Sequence, residues 1–394
     1  MAVPLEGIRV LEFCRWQQGP HCGVLLADMG AEVIKVEMPG VGDPGRSLWP
    51  SADGYCAYFE AHNRGKKSIT LDLHKPQAVE VACRLAATAD VVVENFRRGF
   101  MDRTGLGYDR LRAINPRLIY ASASGFGPQG PWRERLSFDL IGQGMGGIMM
   151  AQRESYEDEP RPALGGTADQ AASIVLAYGV VMALLARERY GVGQQVDSSL
   201  LGTQLALQSY NVTHSLYNER QVISNPKRRH PTFTTYQAGD GRWFTLGAMD
   251  ARYWPRLCQA IDRHDLMEDP RFADPKARID NAEELRALLE EVFRQRRRDE
   301  WVETFAQHEV PAGPVYEYAE VAQSPQVWAN GYLTEVEHPR FGQVQMVGIP
   351  VHLGETPGRV PGPAPELGQH TEEILRSLRY SVEEIQQLRE ESVI

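Results

Sequence analysis

Ile8-Arg9-Val10-Leu11-Glu12-Phe13 and Val33-Ile34-Lys35-Val36-Glu37, separated by a turn and one short helical stretch, decide the fold. Each apolar run reads as a strand. The turn is Cys14 to Pro20, the helix runs to about Met29, and Gly30 suits a left-handed C-terminal cap. Strand, helix and strand in that order make a βαβ unit, which is almost always a right-handed parallel crossover. The pattern then repeats. Ser68 to Leu73 reads as a strand, Pro76 to Ala87 as a helix with proline in its first turn, and Asp90 to Glu94 as a strand around Val91-Val92-Val93. Leu118 to Ala121 is a further strand. The first part of the chain is therefore expected to be an α/β domain on a Rossmann-like, mostly parallel sheet. Its ligands should bind at the carboxyl ends of the strands: Cys14 to Pro20, His74 to Pro76, Asn95 to Gly99 and Ser122 to Gly127.

Beyond residue 220 the texture changes. Ser224-Asn225-Pro226-Lys227-Arg228-Arg229-His230-Pro231 reads as a linker, and Thr232 to Gln237 with Arg242 to Leu246 as a hairpin. Asn281-Ala282-Glu283-Glu284 reads as a capping box ahead of a helix carrying Leu285, Leu288, Leu289, Val292 and Phe293. Residues 225–325 are thus expected to form a smaller α+β domain, after a large domain at 1–224. Thr356 to Pro365 is a second linker, and residues 326–394 return the chain to a helical segment that completes the large domain.

The chain has 394 residues, 42% of them hydrophobic and 24% charged, which is ordinary for a globular protein. A net charge of -10 argues against nucleic acid as a partner. Five scattered cysteines without a CxxC pair offer neither a disulfide framework nor a zinc ribbon, and the histidines show no metal-ligand spacing. No basic region followed by an apolar run opens the chain, and Ile174 to Ala186 is too short to span a bilayer, so a cytoplasmic location is expected. The turn after the first strand reads Gln17-Gln18-Gly19-Pro20-His21-Cys22-Gly23, which is not the dinucleotide fingerprint and weighs against a nicotinamide oxidoreductase.

Three groups of residues carry candidate chemistry. Arg15, Trp16, Gln17 and Gln18 can bind an anion and orient a substrate, or simply join a strand to a helix. Asn95-Phe96-Arg97-Arg98-Gly99-Phe100 with Arg103 suits phosphates and an adenine, or reads as a solvated basic turn. Asp169, in Gly165-Gly166-Thr167-Ala168-Asp169-Gln170, precedes a long apolar helix at Ala171 to Ala186. A helix N-terminus favours the ionised carboxylate, which can act as a covalent nucleophile without a base. The same residue also reads as an N-cap.

The blocks Pro4 to Phe13, Gly30 to Glu37 with Gly42-Asp43, Asn63 to Leu73, Asp90 to Phe96, Arg187 to Leu201 and Leu367 to Leu375, in that order, resemble the class III CoA-transferases, the formyl-CoA and carnitine CoA-transferase-like group. The resemblance implies a CoA-transferase. Asp169 falls where that family has its catalytic aspartate, and Gln17 where it stabilises the reacting carbonyl. Gln18, Leu71, Asp72, Leu73, His74, Asn95, Phe96, Arg97, Arg103, Phe138 and Asp139 match CoA-contacting positions. The implied partners are an acyl-CoA donor and a carboxylic acid acceptor, with CoA thioester as substrate and no permanently bound cofactor. The implied assembly is an interlocked, ring-like homodimer. The implied route passes through an aspartyl anhydride and an aspartyl-CoA thioester. The glycine-rich loop of formyl-CoA transferases has no counterpart between Ser224 and Asp250, which weighs against oxalate and formyl-CoA. Asn211 to Phe233 and the hairpin after it are expected to line the acceptor pocket. The alternatives are a 2-methylacyl-CoA racemase of the same fold, whose catalytic histidine is replaced here by Phe138, and a non-enzymatic CoA- or nucleotide-binding protein.

Overall fold

Strand 1 of the protein's main sheet alternates its side chains between two buried faces, and the whole large unit follows from that alternation. In the computed structural model, which describes residues 2–155, 157–218 and 230–394, β1 is Arg9–Phe13, α1 Gln18–Asp28, β2 Glu32–Glu37, α2 Ala57–Asn63, β3 Lys67–Thr70, α3 Pro76–Thr88 and β4 Val91–Glu94. Then come α4 Phe100–Thr104, α5 Tyr108–Ile114, β5 Ile119–Ser124, α6 Asp139–Met145, α7 Ile148–Ala151, α8 Thr167–Tyr190, β6 Gln194–Ser199, α9 Leu200–Leu207 and α10 Ser209–Asn218. The six strands form one sheet in the order β3-β2-β1-β4-β5-β6, and every pairing is parallel.

Val10, Val33, Val91, Val93 and Ile119 point to the face packed by α1 and α8. Leu11, Phe13, Ile34, Ile69 and Val92 point to the other, where residues of α3 and the C-terminal helices complete the core. Full burial of each such side chain stabilises by roughly 1.5–3 kcal/mol, so apolar residues on both strand faces are what a covered parallel sheet requires.

The chain divides into two compact units: Met1–Ala151 with Pro160–Val222 and Trp328–Ile394, and Gln152–Glu159 with Ile223–Val327. The second contains an antiparallel hairpin, β7 Phe233–Gln237 and β8 Trp243–Gly247, as the alternation predicts, with β9 Ala312–Pro314 added beside β8. Its core gathers Tyr236, Phe244, Phe293, Trp301 and Phe305. The expected capping box at Asn281 does not form. A preceding helix, Pro275–Asp280, runs directly into Ala282–Phe293, and the Asn281 amide donates backwards to Arg271 and Ala277 carbonyls. The expected linker at Ser224 to Pro231 lies outside the described residues for 224–229.

Two further expectations need correction. Gln194-Gln195-Val196-Asp197-Ser198-Ser199 has no apolar run and is not among the expected strands; it is the edge strand β6, buried mainly at Ser198. Leu333–His338 and Gly342–Val347 form a hairpin where only a return linker was expected. The tail is helical as expected, at Thr371–Ser377 and Val382–Glu390, and Ser381 with Glu384 closes a capping box on the second helix.

Candidate active site

The strand order reverses between β1 and β4, and there the carboxyl-end loops diverge to open a crevice. A cavity of about 350 Å³ occupies that place. It is lined by Arg15, Trp16, Gln17 and Gln18 after β1, by Asn95, Phe96, Arg97 and Arg98 after β4, by Ser122 to Gly125 after β5, and by Arg133, Arg135, Phe138 and Asp169.

The turn after β1 is pinned at several points. The Asn95 side chain accepts from the Arg15 N–H at 2.9 Å and donates to the Arg15 carbonyl at 2.7 Å. Asp43 Oδ1 accepts the Trp16 N–H at 3.1 Å, and Trp16 itself sits at φ +67, unusual for a bulky residue. Gln17 follows as the residue capping α1. Its amide donates to the Gly165 and Gly166 carbonyls at 3.4 and 3.3 Å, long bonds that a better acceptor displaces readily. Gln18 also lines the cavity, its amide donating to the Ser124 and Ser198 carbonyls.

Asp169 stands in the first turn of α8, not ahead of it. Gly165 and Gly166, at φ +80 and +65, turn the chain so that the helix begins four residues earlier than the apolar pattern indicates. The N-cap reading of Asp169 is therefore overturned: the capping carboxylate is Asp139, whose Oδ1 accepts the N–H of Ala168 at 2.7 Å and of Asp169 at 3.1 Å. Gln143 donates to the other oxygen of Asp139 at 2.6 Å and to the Ala163 carbonyl at 3.0 Å, tying α6 to the segment before α8.

The helix dipole that favours an ionised Asp169 is opposed there by burial. Burial, and after it the charge of Asp139, raise the Asp169 carboxyl to about 7. Among the described residues its side chain accepts no hydrogen bond, so nothing compensates the lost water. A part-buried carboxyl whose charge is opposed by burial and by Asp139, in a cavity shared with the loosely held Gln17 amide, suits attack on an acyl carbon.

The outer part of the crevice is basic and aromatic. Arg15 lies over the Phe96 ring at 5.3 Å, and Phe96 packs on Phe100 at 4.7 Å. Arg98 pairs with Asp197 at 2.9 Å, while Arg97 is exposed at the cavity wall. Beneath them Glu94 is driven up to about 7 by burial and accepts the Phe96 N–H at 2.9 Å.

Asp169, Gln17, Gln18, Asn95, Phe96, Arg97 and Phe138 thus share one cavity, with Asp139 directly behind Asp169. Leu71, Asp72, Leu73, His74 and Arg103 do not line it. Leu71 is in the core and Leu73 packs against it. The Asp72 N–H donates to the Val393 carbonyl, and Asp72 Oδ1 accepts the His74 N–H. These residues follow edge strand β3 at the same end of the sheet, with His74 exposed; Arg103 is exposed on α4. The described residues of Asn211 to Phe233 do not line the cavity either. Sequence reasoning passed over Arg133, Arg135 and Gln195, which also line it. Gln195 belongs to the unrecognised strand, and the arginines carry no spacing that marks them.

A sequence model described as CoA-transferase family III matches residues 5–371. The chain belongs to CoA-transferase family III. This family III enzyme is 36% identical over 393 residues to the succinyl-CoA–D-citramalate CoA-transferase of Chloroflexus aurantiacus, covering 95% of this chain and 94% of that one. It is 34% identical to the succinyl-CoA:glutarate CoA-transferase of Homo sapiens, over 99% of this chain and 90% of the relative. Its fold matches a solved CAIB/BAIF family protein from Brucella suis with a TM-score of 0.86 and 34% identity, covering 96% of this chain and all of the other. It is a CoA-transferase, and its curated relatives act on acyl-CoA donors and carboxylate acceptors.

Proposed function

We propose that Asp169 is the nucleophile and that CoA transfer passes through it covalently. The ionised carboxylate attacks the donor thioester carbon and expels CoA thiolate, leaving an aspartyl anhydride. Thiolate then attacks the aspartyl carbonyl of the anhydride and frees the donor acid. The acceptor carboxylate attacks the resulting aspartyl-CoA thioester, expelling thiolate and forming a second anhydride; thiolate then attacks the acceptor acyl carbon of that anhydride, and the Asp169 carboxylate leaves. Splitting one exchange between two acids into acyl transfers through a fixed carboxylate lowers each barrier. Each tetrahedral intermediate carries an oxyanion, and the weakly held Gln17 amide is the donor within reach of the Asp169 turn. The observation that carries this reading is the unpartnered, raised carboxyl of Asp169 in a cavity shared with Gln17.

Arg15, Arg97 and the aromatic pair Phe96–Phe100 would take the phosphates and adenine of CoA, with Asp72 to His74 and Arg103 extending that surface. Short dicarboxylates and their CoA esters are the substrates of choice, since the relatives named above act on succinyl-CoA, glutarate and D-citramalate. The racemase reading loses support because both oxygens of Asp139, the carboxylate beside Asp169, are already engaged, by two backbone N–H groups and Gln143. The enzyme is read as a soluble cytoplasmic homodimer, its protomers interlocked through the long connections between units. The outer side of α8 exposes Ile174, Val175, Tyr178, Val181, Met182 and Leu185, an apolar stripe of the kind a partner covers.

The deciding experiment is the full-length Asp169→Ala variant, assayed with succinyl-CoA and a panel of carboxylate acceptors by mass spectrometry. Exchange should fall at least about a thousandfold while the fold is kept, and hydroxylamine should trap an acylated Asp169 only in the wild type. Wild-type turnover by the variant would refute covalent catalysis at this residue.

A further inference from the structure

Two lysines lie wholly inside the large unit, and the reaction as written uses neither. Lys35 and Lys66 have fully buried side chains, as does the Glu12 carboxylate between them. Lys35 Nζ is 2.8 Å from Asp43 Oδ2 and 3.1 Å from Glu12 Oε1; Lys66 Nζ is 2.8 Å from Glu12 Oε2. Enclosing four ionic groups is unfavourable unless directed bonds repay the lost hydration, and a packed apolar quartet would hold the strands together as well.

The directed bonds converge on one segment. Lys35 Nζ donates to the Cys14 carbonyl at 2.8 Å, and Lys66 Nζ donates to the Pro20 carbonyl at 2.8 Å. Those two carbonyls flank Gln17: Cys14 opens the turn after β1, and Pro20 lies in the first turn of α1 just beyond it. Between them, Asp43 Oδ1 takes the N–H of Trp16, the residue held at positive φ immediately before Gln17, and also the N–H of Gly45. α1 makes room for the cluster: a Cβ on Gly23 would lie 2.0 Å from Glu12 Oε2. Lys66 is further tied by the His62 carbonyl and Asn63 Oδ1.

We propose that the Lys35–Asp43 pair, with Glu12 and Lys66, is a positioning device that holds the Cys14–Pro20 turn in the shape that presents Gln17 to the reacting carbonyl. The charges act through backbone groups of the turn and touch no substrate. This inference rests on the reading of Asp169 and Gln17 given above.

The test is a double-mutant cycle in the full-length enzyme, with Asp43→Ala, Gln17→Ala and the combined variant, using the donor and acceptor that the wild type turns over. Asp43→Ala should lower kcat about a hundredfold, the scale of losing one oxyanion donor, with the KM for acyl-CoA within about threefold. In the Gln17→Ala background the same change should cost no more than about twofold, because the device acts through Gln17. Where Asp43→Ala does not fold, Asp43→Asn replaces it; it keeps an acceptor for the Trp16 N–H and should lose about tenfold with the same non-additivity. A purely structural role would lower the melting temperature and leave kcat of the folded protein unchanged. That result, or losses that multiply in the combined variant, would overturn the proposal. Asp169→Ala run alongside separates the two levels. Retained exchange there overturns both, whereas loss there with full kcat in a folded Asp43 variant overturns the positioning role alone.

Discussion

Asp169 has a carboxyl held at about 7, far above the 3.8 of an ordinary aspartate, because burial and then Asp139 oppose its charge. The folded state therefore binds that proton more tightly than the unfolded chain. The stabilisation this gives is fully present below about pH 4 and is lost as pH rises through about 7. Asp169→Asn removes the penalty of the buried charge and keeps the shape. It should be more stable than the wild type by roughly 4 kcal/mol at pH 8, with the gap closing towards pH 4. Thermal melts of both proteins across that range read it, and a gap that does not narrow on acidification would contradict the assignment. The same group predicts a fall in kcat/KM as pH drops through about 7, since only the ionised form attacks. Asp169 was legible in the sequence by its place before a long apolar helix. Its state was not, because the carboxylate that occupies the helix terminus comes from thirty residues earlier in the chain.

The start of α8 is where element geometry meets chemistry. Gly166 sits at φ +65, and a Cβ there would lie 2.5 Å from the Gln17 amide. Gly166→Ala should therefore destabilise by about 1–3 kcal/mol through backbone strain and displace Gln17 from its resting place. Chemical denaturation would show the first effect, and a kcat loss larger than any rise in KM the second; a variant with wild-type stability and rate would mean the glycine is incidental. The strands whose apolar residues face both layers were readable as such, from Val91-Val92-Val93 most plainly. β6 was not, because an edge strand needs only part of one face buried and so leaves little period in the sequence. The Lys35, Lys66 and Glu12 charges were visible inside or beside strand-like runs, but nothing local says that such charges meet.

At the scale of the whole molecule, the apolar outer side of α8 and the proposed interlocking make one expectation: a dimer that persists on dilution. Sedimentation at nanomolar concentration should give a single dimeric species, and an active monomer would rule interlocking out. The order of the sheet has another consequence, one of timing. The bond from Arg15 to Asn95 joins residues 80 apart in the chain, and the contact of Gln17 with Gly165 spans 148. Such contacts close long loops and form after local ones. Diluted from denaturant, the protein should recover helical signal first and CoA exchange later, through a separate slow phase. Turnover then serves as a clock for the last stage of folding, and a chain trapped just short of it would look native by spectroscopy while being catalytically silent.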